Sequence, residues 1–122
     1  MSSFYPGRWR YTPLRRVEVA GDSMRPALEP GDRLLVVARR RGLRPGDVVA
    51  VRDPRAPGVR TMVKRVSAVG PAGVSVLGDS PDASTDSRTF GPVPADLVLG
   101  RAVYRYWPDH RRGRVARRVG TL

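Results

Sequence analysis

Val59-Arg60-Thr61-Met62-Val63-Lys64-Arg65-Val66-Ser67-Ala68-Val69 is the stretch on which the reading of this chain turns. It is an apolar run rich in β-branched residues and holds no Gly or Pro, so residues 59–69 read as one long strand. Lys64 lies inside it and is the only lysine among 23 Lys and Arg residues; the other 22 are arginines. Arginine keeps its proton under nearly all conditions, whereas a desolvated lysine can release its proton near neutral pH and act as a base. A single lysine on a protein surface carries no message. Among Met62, Val63 and Val66, the amine is expected to be partly desolvated.

The sequence on either side is cut into short pieces. Twelve Pro and 13 Gly in 122 residues leave no room for long helices, and the fold expected is a small all-β barrel or sandwich of short strands. Further strands are expected over residues 17–20, 34–38, 48–51, 74–77 and 97–106. Pro30-Gly31-Asp32 and Arg44-Pro45-Gly46-Asp47 read as turns, with Pro and Gly setting the dihedrals and Asp bonding nearby amides. Residues 78–94 are polar and irregular, dense in Asp and Ser, and read as a structured loop. The expected division is a basic arm over residues 1–16, a catalytic domain over 17–106 and a basic tail of uncertain order over 107–122.

Composition excludes several chemistries. With no Cys there is no disulfide framework and no thiolate, and the single His110 sits in an arginine-rich tail, a poor member of a triad or a metal site. No metal or organic cofactor is called for. No run approaches the roughly 20 apolar residues of a membrane span, and residues 1–16 lack the apolar segment of a secretory signal. The chain reads as cytoplasmic, with peripheral membrane contact as an option. The net charge of +12 is concentrated toward the two ends, which suits an anionic lipid surface. No zinc-finger spacing, recognition helix or aromatic-basic motif points to nucleic acid.

Three segments carry chemistry together. Gly21-Asp22-Ser23-Met24-Arg25-Pro26 is a turn that presents the Ser23 hydroxyl at the end of a strand, with free backbone amides suited to an oxyanion. Lys64 follows on its strand as a base for that hydroxyl. Gly78-Asp79-Ser80-Pro81-Asp82-Ala83-Ser84-Thr85-Asp86-Ser87-Arg88 supplies further hydroxyls and carboxylates.

In this order the chain resembles the signal peptidase I family of Ser-Lys endopeptidases. The nucleophile box is Gly21-Asp22-Ser23-Met24-Arg25-Pro26-Ala27-Leu28 followed by Gly31-Asp32. The second box is Gly46-Asp47-Val48-Val49, and the base box is Lys64-Arg65-Val66. The last is Gly78-Asp79-Ser80 through Ser84-Thr85-Asp86-Ser87-Arg88 to Gly91-Pro92-Val93. The resemblance implies Ser23 as nucleophile, Lys64 as general base, and Ser84 as the partner that aims Lys64. It implies an Asp86–Arg88 ion pair beneath the site. Gly21, Met24 and Pro26 would border the substrate, bound as an extended strand through its main chain. Ser80 stands where the family usually has Asn, Ala27 where Thr is common, and Gly21 where some bacterial members have a Ser that donates to the oxyanion.

Only 13 residues separate Lys64 from Gly78, which leaves a minimal catalytic core without the extra β-domain of larger members. Small size, arginine bias and no apolar anchor before Ser23 are similar to the actinobacterial proteases that mature nickel-type superoxide dismutase. That similarity implies removal of an N-terminal leader from a precursor protein. The alternatives are a signal peptidase acting on exported preproteins, a self-cleaving repressor, which shares a Ser-Met turn and a strand Lys, and a basic nucleic-acid-binding β-module.

Overall fold

A computed structural model describes residues 13–118 of the chain. The strands are β1 (Leu14–Glu18), β2 (Arg33–Val37), β3 (Val48–Arg52), β4 (Thr61–Gly70), β5 (Gly73–Leu77), β6 (Val98–Trp107) and β7 (Gly113–Arg114). One antiparallel sheet joins them in the order β1-β2-β6-β3-β4-β5, with β7 added to β6. Among the described residues the one α-helix, α1 (Ser87–Phe90), is a single turn. The protein is a small all-β domain.

β3 explains how one sheet makes two cores. Its Val48-Val49-Ala50-Val51 run is apolar without alternation, and all four residues are buried. Strands covered on both faces carry such runs. Val48 and Ala50 join a cluster with Val19, Met24, Leu28, Leu34, Val36 and Val63. Val49 and Val51 face the other way, into a cluster with Met62, Val66, Val74, Val76 and Val98. Each buried aliphatic side chain contributes roughly 1.5–3 kcal/mol, so the paired clusters outweigh the weak local propensity of five-residue strands.

β4 pairs with β3 over Thr61 to Arg65 and with β5 from Arg65 onward. The backbone of its first half is therefore unpaired on the side away from β3. β4 and β5 form a hairpin turning at residues 71–72, so nothing is inserted between the Lys64 strand and the Gly78 loop.

Both expected ends differ from the structure. β1 begins at Leu14, inside the segment expected as an arm, because Leu14, Arg15 and Arg16 pair with Val37, Val36 and Leu35; residues 1–12 lie outside the described residues. Residues 107–118, expected as a tail of uncertain order, are bound to the domain. β7 pairs with Tyr104 and Arg105, Val115 packs on the first core cluster, and arginines of the segment pair with buried carboxylates. Arg111 Nη2 reaches Asp32 at 3.2 Å, Arg117 Nε reaches Asp47 at 2.8 Å and Arg118 Nη2 reaches Asp79 at 2.7 Å. These are the aspartates of three of the chain's four Gly-Asp pairs, Gly31-Asp32, Gly46-Asp47 and Gly78-Asp79. A basic segment reads as solvated only while its acceptors are unknown.

Candidate active site

The turn that carries Ser23 follows β1. The Arg25 amide donates to the Asp22 carbonyl at 3.1 Å, placing Ser23 and Met24 at the turn's two central positions. Gly21, at φ 75°, supplies the left-handed residue that swings the chain out of the strand. Met24 is 1% exposed and drops into the first core cluster. Ser23 faces a cleft of about 190 Å3 that it shares with Gly21, Arg60, Met62, Val63 and Lys64. Met24 therefore anchors the turn from below and does not form the pocket wall expected of it; Met62 occupies the wall. Pro26 is exposed and also lies off the cleft.

The last loop clamps this turn. The Ser80 amide donates to the Ser23 carbonyl at 2.8 Å and the Ser80 hydroxyl donates to the Arg25 carbonyl at 2.8 Å. A Cβ on Gly78 would collide with the Ser84 side chain and come within 2.8 Å of the Ser23 carbonyl oxygen. Only a glycine lets the Ser23 turn and Ser84 approach each other here. In the sequence Gly78 and Ser80 stand out only as parts of a box; the repeat of Gly-Asp-Ser at 21–23 and 78–80 is the available signal. The Ser23 amide forms no hydrogen bond among the described residues and is available to an oxyanion.

Lys64 is 5% exposed. Its Nζ donates to Ser84 Oγ at 3.1 Å, and Ser84 Oγ donates to Asp86 Oδ2 at 2.7 Å. Direction follows from inventory: Asp86 can only accept, so it takes the single Ser84 proton, and Ser84 must accept from Lys64. A neutral Lys64 amine then has its lone pair free of Ser84 and available to the Ser23 proton in the same cleft. Burial pushes the Lys64 amine below the ordinary lysine value, Asp86 opposes this, and Arg60 and Arg88 add to it.

Asp86 is the anchor of the chain and is 1% exposed. Arg88 holds it with both Nε and Nη2, at 2.9 and 2.8 Å, and the Gly78 and Arg88 amides donate at 2.9 and 3.2 Å. Burial alone would raise its carboxyl. The Arg88 side chain, the Gly78 amide, the Ser84 hydroxyl and the Arg88 amide together outweigh burial and hold the carboxyl well below the usual range. Asp86 also caps α1, which fixes the loop carrying Ser84. The structure thus brings Gly21, Ser23, Lys64, Ser84, Asp86 and Arg88 together and leaves Met24 and Pro26 outside the cleft. Among the described residues no cluster of His, Asp or Glu has a metal-binding arrangement.

Fold and site define a small all-β hydrolase of the serine peptidase type. The profile described as signal peptidase, peptidase S26, matches residues 8–76 and 69–107, and the chain belongs to that family. Mitochondrial ATP-independent inner membrane protease subunit 1a of Arabidopsis thaliana is 42% identical over 126 residues, covering 82% of this chain and 74% of the relative. Subunit 1b of the same plant is 37% identical, over 72% of this chain and 67% of its own length. Mitochondrial inner membrane protease subunit 1 of Xenopus tropicalis is 32% identical, over 73% and 66%. These relatives are named as membrane proteases and not as superoxide dismutase maturation enzymes. No helix among the described residues is long and apolar enough to cross a membrane.

Proposed function

We propose that the protein is a Ser-Lys endopeptidase that removes an N-terminal leader from a precursor protein, the precursor being a nickel-type superoxide dismutase. The observation that carries the catalytic half is the chain from Lys64 through Ser84 to Asp86, with Ser23 in the same cleft. Ser23 Oγ attacks the scissile carbonyl as the Lys64 amine takes its proton. The Ser23 amide steadies the oxyanion, and the lysine ammonium then protonates the leaving amine. Water hydrolyses the acyl-enzyme by the same route in reverse roles. The substrate lies as an extended strand along the unpaired edge of Thr61 to Val63, bonded through its main chain.

The choice of precursor is supported by the compact core, in which β4 and β5 are joined by a two-residue turn, and by the resemblance to small maturation proteases. The relatives named as inner membrane proteases support a second reading, processing of exported preproteins at a membrane that the basic ends would contact through anionic lipid. Co-expression with a nickel superoxide dismutase precursor, read by intact mass, separates the two. Leader loss with wild type, and none with Ser23→Ala or Lys64→Arg, is the expected result. An intact precursor beside wild type would discard this substrate in favour of exported preproteins, and cleavage surviving Lys64→Arg would discard the dyad.

A further inference from the structure

On the face of β4 opposite Lys64 there is a second pocket. Arg65 is the next residue, and successive strand residues point to opposite faces. The pocket has a volume of about 240 Å3 and is lined by Arg65, Arg105, Arg114 and Arg118, over a floor that includes Leu28 and Val115. No carboxylate lines it. The arginines come from three strands and the C-terminal segment, so the pocket exists only because that segment is docked.

Its charges do not balance. Asp79 accepts from Arg65 at 2.9 Å and from Arg118 at 2.7 Å. Asp32 accepts from Arg105 at 3.1 Å and from Arg111 at 3.2 Å. Arg114 has no ion pair among the described residues. Two carboxylates therefore serve four guanidinium groups and Arg114 makes a fifth with none; four of the five are on the pocket wall. Two of the four are also tethered by backbone carbonyls: Arg65 donates to the Gly46 and Ala116 carbonyls, and Arg105 donates to the Ala27 carbonyl. Their positions are set before a ligand arrives, which lowers the ordering cost of binding.

We propose that this pocket is a binding site for a phosphate group, presented on an anionic lipid headgroup or as a free phosphate. Guanidinium forks match phosphate oxygens, and convergent arginines favour a group with more charge and more acceptors than a carboxylate. Water takes up about 30 Å3 per molecule in the liquid, so the volume admits a phosphate with the first carbons of its ester. Those carbons would lie on Leu28 and Val115. The site does not use Ser23 or Lys64 and stands whether or not the protease reading does.

The test uses the full chain with Ser23→Ala beside wild type. Inorganic phosphate is titrated calorimetrically, and vesicles of phosphatidylcholine with and without phosphatidylglycerol are used in co-sedimentation. Saturable binding of at least one probe is expected, unchanged by Ser23→Ala. Binding should weaken roughly tenfold in Arg114→Gln, the loss of about one charge-assisted contact, and also in Ala116→Glu, which sets a carboxylate at the pocket. Arg41→Gln, on a separate exposed run, should leave it unchanged. Binding of inorganic phosphate alone would identify a soluble phosphate ligand, and binding of phosphatidylglycerol vesicles alone a lipid. Binding of neither probe would overturn the proposal. So would equal weakening by Arg41→Gln, or no weakening by Arg114→Gln. Both pocket substitutions are at exposed positions; if Ala116→Glu lowers the melting temperature, Arg114→Gln decides.

Discussion

Two regions of this molecule are built from the same pair of residue types and put them to different ends. Beneath the cleft, Arg88 grips Asp86, which holds Ser84, which holds Lys64. At the C-terminal segment, Arg111, Arg117 and Arg118 grip Asp32, Asp47 and Asp79. In each case a buried carboxylate is satisfied by guanidinium, joined by backbone amides at Asp86, Asp32 and Asp47 and by a second arginine, Arg65, at Asp79, as burial requires. What differs is what hangs from the carboxylate. From Asp86 hangs a hydroxyl that fixes a lysine; from Asp47 hangs only the chain end. What an Arg–Asp pair can do is therefore set by its next neighbour, not its own geometry.

Asp86→Asn against Asp47→Asn is the sharpest way to break that comparison. Asp86→Asn should lower kcat/KM by about 100-fold, the scale of misplacing a general base, while KM changes little. It also removes the charge that raises the Lys64 amine, so the alkaline rise in activity should move to lower pH. Asp47→Asn should lower the melting temperature and leave kcat/KM per folded molecule unchanged. Equal activity losses in the two variants would show that both pairs only hold the fold.

The pH dependence sharpens the same contrast. With Lys64 as base, kcat/KM should climb about tenfold per pH unit below the amine's folded value and level off above it. Since burial lowers that value, the limb should lie below about 10.4, the free-lysine figure. The stability consequence has a definite sign. Between the folded and unfolded Lys64 values the unfolded chain holds the extra proton, so stability contributed by this group rises with pH there and is flat below. Asp86 and Asp47 are depressed carboxyls. Their contribution is complete above about 3.9 and is lost as pH falls through their folded values. Urea unfolding across pH reads both windows, and a flat activity profile across the alkaline range would remove Lys64 from the chemistry.

The unequal legibility of the two regions has a physical reason. Ser23 and the Ser84-to-Arg88 loop are an ordinary turn and an ordinary polar loop on their own and stood out only through the ordered boxes that resemble signal peptidase I; Lys64 stood out for a local reason, as a lone lysine in an apolar strand. Six strands were readable for a local reason too, as apolar runs bounded by Pro and Gly. The docking of residues 107–118 was not. Arg111, Arg117 and Arg118 find carboxylates 79, 70 and 39 positions away in the chain, and nothing local distinguishes them from solvated arginines. Met24 was misplaced by one step of geometry. Adjacent turn residues point apart, so the neighbour of Ser23 goes inward.

Two glycines carry the comparison into the backbone. Gly78→Ala would drive a methyl group into Ser84 and the Ser23 carbonyl, and should cut kcat/KM by roughly tenfold or more, since small displacements in a reacting pair are costly. Gly46 sits at φ 95°, and its Cβ would meet Arg117 Cγ at 2.8 Å and the Arg118 backbone. Gly46→Ala should cost about 2 kcal/mol of stability from strain alone and more from the clash, with kcat/KM of the folded fraction unchanged. A chymotrypsin-digestion time course would show the Gly46 variant losing its C-terminal segment first.

The smallest effect expected is that of Arg117→Ala. Arg117 is partly exposed and Asp47 keeps its hydrogen bond from the Arg44 amide at 2.8 Å, so the carboxylate is not left bare. Loss of one charge-assisted bond should cost about 2 kcal/mol or less, reduced further by solvent screening. Arg118 would still bind Asp79 and donate its amide to the Gly46 carbonyl at 3.2 Å, so the segment stays in place. A thermal melt should show a small decrease that shrinks in high salt, with peptide-cleavage activity intact. A loss of activity larger than the loss of folded protein would mean that the C-terminal segment acts on the cleft through Arg65 and Asp79, which connect it to Gly78, and that the two Arg–Asp regions form one device.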